Sequence, residues 1–218
     1  MELSVFDIIG NGVSNTEVSE VIINKLKEKY QKEFIVKMIG NRYGTYTDDT
    51  VTTYCAPKDN ENLIFTVTLN KEQTKLEDDY QLRAVVFELE EKIKEAFKQM
   101  DIEVIVKTEI IGKNEMDETI SVQEFIKKFK GTSFLTYIIS NNTIAEETLN
   151  KIYSYIKEKY QNIYLKTLIY VLNEEGFKEC YKIDKNSPVI TESIIEKYEV
   201  KQEVIMKIFE GKIYRINI

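Results

Sequence analysis

Ser133-Phe-Leu-Thr-Tyr-Ile-Ile139, Ile144-Ala-Glu-Glu-Thr-Leu-Asn-Lys-Ile-Tyr-Ser-Tyr-Ile-Lys-Glu-Lys-Tyr160 and Ile163-Tyr-Leu-Lys-Thr-Leu-Ile-Tyr-Val-Leu172 follow one another with short polar breaks. The first and third runs are β-branched and aromatic, which suits a pleated, half-buried strand. In the second, Leu149, Ile152, Tyr153, Ile156 and Tyr160 recur at helical spacing. Thr143-Ile-Ala-Glu146 has the form of a capping box, so the helix is expected to open there. Strand, helix, strand is the kernel of a helix-backed sheet.

The rest of the second half builds on that kernel. Ser121-Val-Gln-Glu124 is another capping box and opens a short helix that Gly131 stops. Asn173-Glu-Glu-Gly176 reads as a turn joining Ile163–Leu172 to a strand over Phe177–Ile183. A short helix follows near Thr191 to Tyr198. Val204–Phe209 and Lys212–Ile216 then form a terminal hairpin around Glu210-Gly211.

The first half follows a similar order. Leu3–Ile9 is β-prone, and Ser14-Asn-Thr-Glu17 is a further capping box. Val18, Val21, Ile22 and Leu26 predict a helix from Asn15 to about Gln31. Strands are expected over Phe34–Ile39, Thr50–Cys55 and Leu63–Leu69. A long helix from Asp78 to about Met100 carries the stripe Leu82, Val85, Val86, Leu89, Ile93 and Phe97. Ile102–Ile111 is the next strand. Lys27-Glu-Lys-Tyr-Gln31 and Lys157-Glu-Lys-Tyr-Gln161 close the two corresponding helices. The expected fold is therefore α+β: two helix-backed, mainly antiparallel sheets in split βαβ (ferredoxin-like) order, as an internal duplication would produce. A single continuous sheet is the competing arrangement. The polar stretch Gly112–Thr119 is the expected boundary, giving subdomains 1–112 and 120–218.

Composition limits the chemistry. The 218 residues contain no His, which removes the usual proton shuttle near neutral pH and the commonest metal ligand. No Ser-His or Cys-His nucleophile can be assembled, and Gly-x-Ser-x-Gly does not occur. No catalytic residue, metal ligand or cofactor is assigned. Cys55 and Cys180 lack the spacing of a zinc or redox motif and read as reduced packing residues. The net charge is −7 and Arg occurs only at Arg42, Arg83 and Arg215, which argues against nucleic acid. The N-terminus lacks a basic, then apolar, leader and no run reaches membrane-spanning length, so a cytoplasmic protein is expected.

Four constellations remain. Gly40-Asn-Arg-Tyr-Gly-Thr-Tyr46 is flanked by strands and lacks the Lys of a phosphate loop. Its tyrosines suit the cover of a sheet edge. Its sharper reading is an interaction loop with Arg42, Tyr43 and Tyr46 as contacts, since Arg and Tyr dominate binding hot spots. The acidic groups Asp48-Asp49, Glu77-Asp78-Asp79 and Asp101 with Glu103 match no calcium loop and read as caps and solvated charge. The tyrosines Tyr153, Tyr155, Tyr160, Tyr164, Tyr170 and Tyr181 suit core packing better than base stacking, because acids offset the nearby lysines. The hydroxyl run Thr45–Thr53 reads as an exposed strand face.

Lys29-Tyr-Gln-Lys-Glu-Phe34, Ala56-Pro-Lys-Asp-Asn60, Leu63-Ile-Phe65 and Asp78-Asp-Tyr80 together resemble a pattern in uncharacterised proteins of low-GC Gram-positive bacteria, over residues 20–100. The resemblance implies no activity. The functional expectation is a non-enzymatic protein that binds another protein, as an immunity- or antitoxin-like inhibitor of a basic partner would, without nucleic acid or membrane. A carboxylate- and metal-dependent enzyme and a surface-associated scaffold are the alternatives.

Overall fold

The computed structural model describes residues 15–40, 50–113, 116–198 and 200–217. The chain divides into two compact units. The described residues up to Tyr80, with Asn186–Pro188, make one; Gln81–Lys185 and the residues from Val189 onward make the other. The fold is α+β, with one mainly antiparallel sheet in each unit.

In the first unit, helix α1 (Asn15–Tyr30) precedes a four-stranded antiparallel meander, β1 (Phe34–Ile39), β2 (Thr50–Pro57), β3 (Phe65–Asn70) and β4 (Leu76–Asp78). Val18, Ile22 and Leu26 recur every fourth residue and are buried. Alternation works as period 2 requires: Val51, Thr53 and Cys55 of β2, with Phe65, Val67 and Leu69 of β3, are buried, while Thr52, Tyr54, Thr66 and Thr68 are half-exposed. One end of this core is aromatic. Tyr80 meets Tyr30, Phe34 and Phe65 with ring centroids 4.8, 5.4 and 5.0 Å away.

The second unit has helix α2 (Tyr80–Lys98, whose first residue belongs to the first unit), then β5 (Ile105–Ile111), α3 (Val122–Lys128), β6 (Ser133–Ser140), α4 (Glu146–Lys159), β7 (Leu165–Leu172), α5 (Glu174–Asp184), α6 (Glu192–Ile195), β8 (Val200–Phe209) and β9 (Lys212–Asn217). The sheet order is β5-β6-β7-β8-β9. Only β6 and β7 are parallel, because α4 carries the chain back between them. All six apolar positions of the α2 stripe are buried, and with Val122 and Phe125 of α3 and Leu149, Ile152, Tyr153 and Ile156 of α4 they cover one face. Phe177 and Cys180 of α5 and Ile195 of α6 cover part of the other.

Several expectations change. Phe177–Ile183 is helix, not strand. Asn173 caps it by accepting a hydrogen bond from the Gly176 N–H at 2.8 Å, and Glu174 and Glu175 occupy the first turn, so the apparent turn is a helix start. Gly176 is required there by close approach: a Cβ would lie 2.7 Å from Cβ and 2.8 Å from Cγ of Tyr198. Thr143 does not cap α4, which begins at Glu146 after Ala145. The Ser121–Glu124 capping box is present in full. Asp78 and Asp79 precede α2 instead of filling its first turn. Asp78 accepts from the Tyr80 N–H at 3.2 Å and Asp79 from the Thr66 N–H at 2.6 Å.

The stretch 112–119 connects β5 to α3 inside the second unit. Its polarity resembles a linker's, but β5 pairs with β6 on its far side, so the sheet spans it. The two sheets differ in topology, a plain meander against a sheet with a parallel pair. The shared pentapeptide does end both α1 and α4. The strand expected at Leu3–Ile9 and the capping box at Ser14 lie outside the described residues. Among those described, no helix is long and apolar enough to cross a membrane.

Candidate interaction surface on the five-stranded sheet

Most of the titratable side chains that reach the interior are already committed. On α2, Arg83 and Glu90 are two turns apart and face the sheet. Arg83 Nη1 and Nη2 donate to Glu90 Oε1 and Oε2 at 2.9 and 2.6 Å, a bidentate pair at 5% and 1% exposure. Glu90 Oε1 also accepts from the Thr108 N–H of β5 at 2.6 Å. Thr108 and Thr136 hydroxyls lie 2.9 Å apart beneath them. On the opposite face, Lys107 Nζ sits 2.8 Å from Asp184 Oδ1 at the end of α5. Burial pulls the Lys107 ammonium below its usual range, against the attraction of Asp184. In the first unit, Asp78 accepts from Tyr30 Oη at 2.6 Å and Lys29 Nζ at 2.8 Å. Burial first, then that acceptor, push the Tyr30 phenol up. Each group has a structural partner.

The sequence candidates do not converge. Arg42, Tyr43, Tyr46, Asp48 and Asp49 lie outside the described residues. Among the described residues, no three Cys, Asp or Glu side chains gather where they could hold a metal ion. Cys55 and Cys180 are free and buried. The tyrosines disperse: Tyr153 and Tyr160 are buried on the α4 side, Tyr170 is buried beneath α5 and α6, and Tyr155 and Tyr181 are exposed.

Tyr164 is the exception, because it leads to a surface. Cross-strand register assigns the face shared with α5 and α6 as successive rows. One row is Lys107, Tyr137, Leu168, Ile205 and Ile216; the next is Glu109, Leu135, Lys166, Lys207 and Tyr214. The two helices cover the end that holds Ile105, Ile139 and Tyr170. They leave the other end open. There Phe209, Tyr214 and Ile216 are 49%, 44% and 46% exposed, and Tyr164 packs on Phe209 with ring centroids 5.0 Å apart. A groove of about 700 Å³ runs among these side chains, Lys166 and Lys207. The hairpin that builds it is tight because Glu210 and Gly211 both take positive φ, 49° and 71°.

Sequence reasoning missed Lys207, Phe209, Tyr214 and Ile216 as site residues. A signal was present in β8, where Val204, Met206 and Ile208 alternate with Ile205, Lys207 and Phe209. Both faces carry large apolar groups, although only one face is needed for the core.

Comparison with family models and with curated proteins gives no match. Among solved structures, the chain is similar to a DUF5037 family protein from Ruminococcus gnavus. The identity is 18%, the TM-score 0.66, and the match covers 90% of this chain and 94% of that one. At that identity the likeness shows a shared α+β fold.

Proposed function

We propose that this chain is a non-enzymatic protein-binding protein and that the open half of the five-stranded sheet is its binding face. The observation that carries this reading is the cluster of Tyr164, Phe209, Tyr214 and Ile216, three of them large and nearly half exposed on adjacent strands. Isolated apolar groups on a surface are ordinary; a contiguous aromatic patch with cationic neighbours has the composition of a binding hot spot. Rigid strands hold it in place, which lowers the ordering cost of association. The absence of His from the whole chain, with the commitment of Glu90, Asp78 and Asp184 to structural partners, supports binding over turnover.

A photo-crosslinking residue placed at Phe209 in the native cell tests the reading, with the exposed Tyr155 and Tyr181 as controls. A discrete adduct formed from position 209 and not from the controls is the expected result. Equal labelling from all three positions refutes it.

A further inference from the structure

We infer that the segment seated on this face is an acidic one, whose carboxylates lie between Lys166 and Lys207 while its apolar side chains pack on Phe209 and Tyr214. This deepens the binding reading above and rests on it.

Lys166 of β7 and Lys207 of β8 are direct cross-strand partners on the same face. Like charges placed opposite each other repel, so a sheet keeps such a pair at a cost to the free protein. The adjacent positions in the row are Leu135 and Tyr214, which carry no charge. The one acid in that row, Glu109, is two strands from Lys166, roughly 10 Å away at ordinary strand spacing. Among the described residues, neither lysine makes an ion pair. Arg215 points to the other face, where its guanidinium pairs with Glu146. Lys212, opposite Phe209 at the hairpin, adds a further cation at the rim. In a chain of net charge −7, the described residues that line this groove include cations and no acid.

Net charge alone favours a basic partner. The local pattern carries more weight for what touches the groove, because charges are screened over about 8 Å at physiological ionic strength. Two ammonium groups flanked by aromatic rings form a complement to alternating carboxylate and apolar side chains. A single-stranded nucleic acid would also offer anions and stacking rings. It would have to approach a chain whose overall charge repels it along its whole length.

The test uses the full chain and fluorescein-labelled peptides of alternating Glu and Phe, of alternating Lys and Phe, and an oligothymidylate, read by fluorescence anisotropy. The Glu-Phe peptide is expected to bind saturably and to weaken with salt. Lys166→Glu and Lys207→Glu each place opposite charges across the strand pair. They are expected to reduce its affinity about ten- to a hundredfold while the Tm is held or raised, so lost binding is not lost folding. Preference for the Lys-Phe peptide or the oligothymidylate overturns the inference, as does Glu-Phe binding that both variants leave unchanged. Absence of all binding also overturns it. The broader binding reading then stands or falls separately, on whether position 209 still yields its adduct in the cell.

Discussion

Glu90→Ala should be among the most damaging single changes in the second unit, and the structure says why. The substitution removes the carboxylate that Arg83 grips at 2.9 and 2.6 Å while the guanidinium stays at 5% exposure. It also strips the acceptor from the Thr108 N–H. Breaking a buried ion pair from one side costs about 3–5 kcal/mol. A buried N–H left without an acceptor costs about 1–3 kcal/mol. The two overlap, so a total near 5 kcal/mol is expected, a large share of the 5–15 kcal/mol that typically holds a domain together. Arg83→Met with Glu90→Leu removes both charges and keeps the volume, which is roughly neutral for a buried pair. The Thr108 N–H is then left to satisfy, at about 1–3 kcal/mol. The double variant should therefore be more stable than Glu90→Ala. Urea unfolding followed by far-ultraviolet circular dichroism measures this, since the chain has no Trp to report by fluorescence. A loss under about 1 kcal/mol for Glu90→Ala, or a double variant less stable than the single, would refute the reasoning.

Other expectations can be checked alongside. Gly176→Ala gains up to about 1 kcal/mol of helix propensity but drives a methyl to 2.7 Å from Tyr198; overpacking at about 1–3 kcal/mol should win, and adding Tyr198→Ala should relieve that clash in thermal melts. Ser121→Ala breaks the α3 capping box and should cost about 1 kcal/mol by the same assay. Stability should fall in alkali. Burial pushes the Cys55 thiol up to about 12 and Cys180 to about 11, and raises the Tyr30, Tyr153, Tyr160 and Tyr170 phenols. The unfolded chain therefore releases these protons first, from about pH 8.5 for thiols and about pH 10 for phenols. The stabilisation is whole below those values and is lost as pH rises through the folded ones. Lys107, held below its usual range, works the other way but is one group against six. A Tm that climbs steadily between about pH 9 and 11 would contradict this. Both thiols should resist a disulfide reagent in the native protein and react on unfolding.

The strands of both sheets, apart from the short β4, were legible because β-branched and aromatic residues alternate along them, as in Phe65, Val67 and Leu69 against Thr66 and Thr68; Leu76-Glu-Asp78 has no such alternation. The α2 stripe was legible because six apolar positions share one helical face. Helix α5 was hidden by its own cap: Asn173 through Gly176 has turn composition, and only the side-chain hydrogen bond to Gly176 makes it a helix start. The unit boundary was hidden because a polar stretch has the same composition whether it links domains or, as at 112–119, runs from a strand to a helix of one unit. The binding face was hidden for a different reason. Whether Phe209 or Ile205 meets solvent depends on how far α5 and α6 reach across the sheet, which no local pattern in β8 encodes.

The hydrogen bond from Thr108 to Glu90 has a consequence for self-association. Strand β5 lies at the rim of its sheet, and the Thr108 amide turns away from β6 to meet the carboxylate. A foreign strand seeking to extend the sheet on that side would find this donor already spoken for, and a helix side chain in its path. Rims without such a guard are where chains polymerise edge to edge. A substitution at Glu90 thus exposes the unit twice, once to unfolding and once to unwanted growth of the folded form.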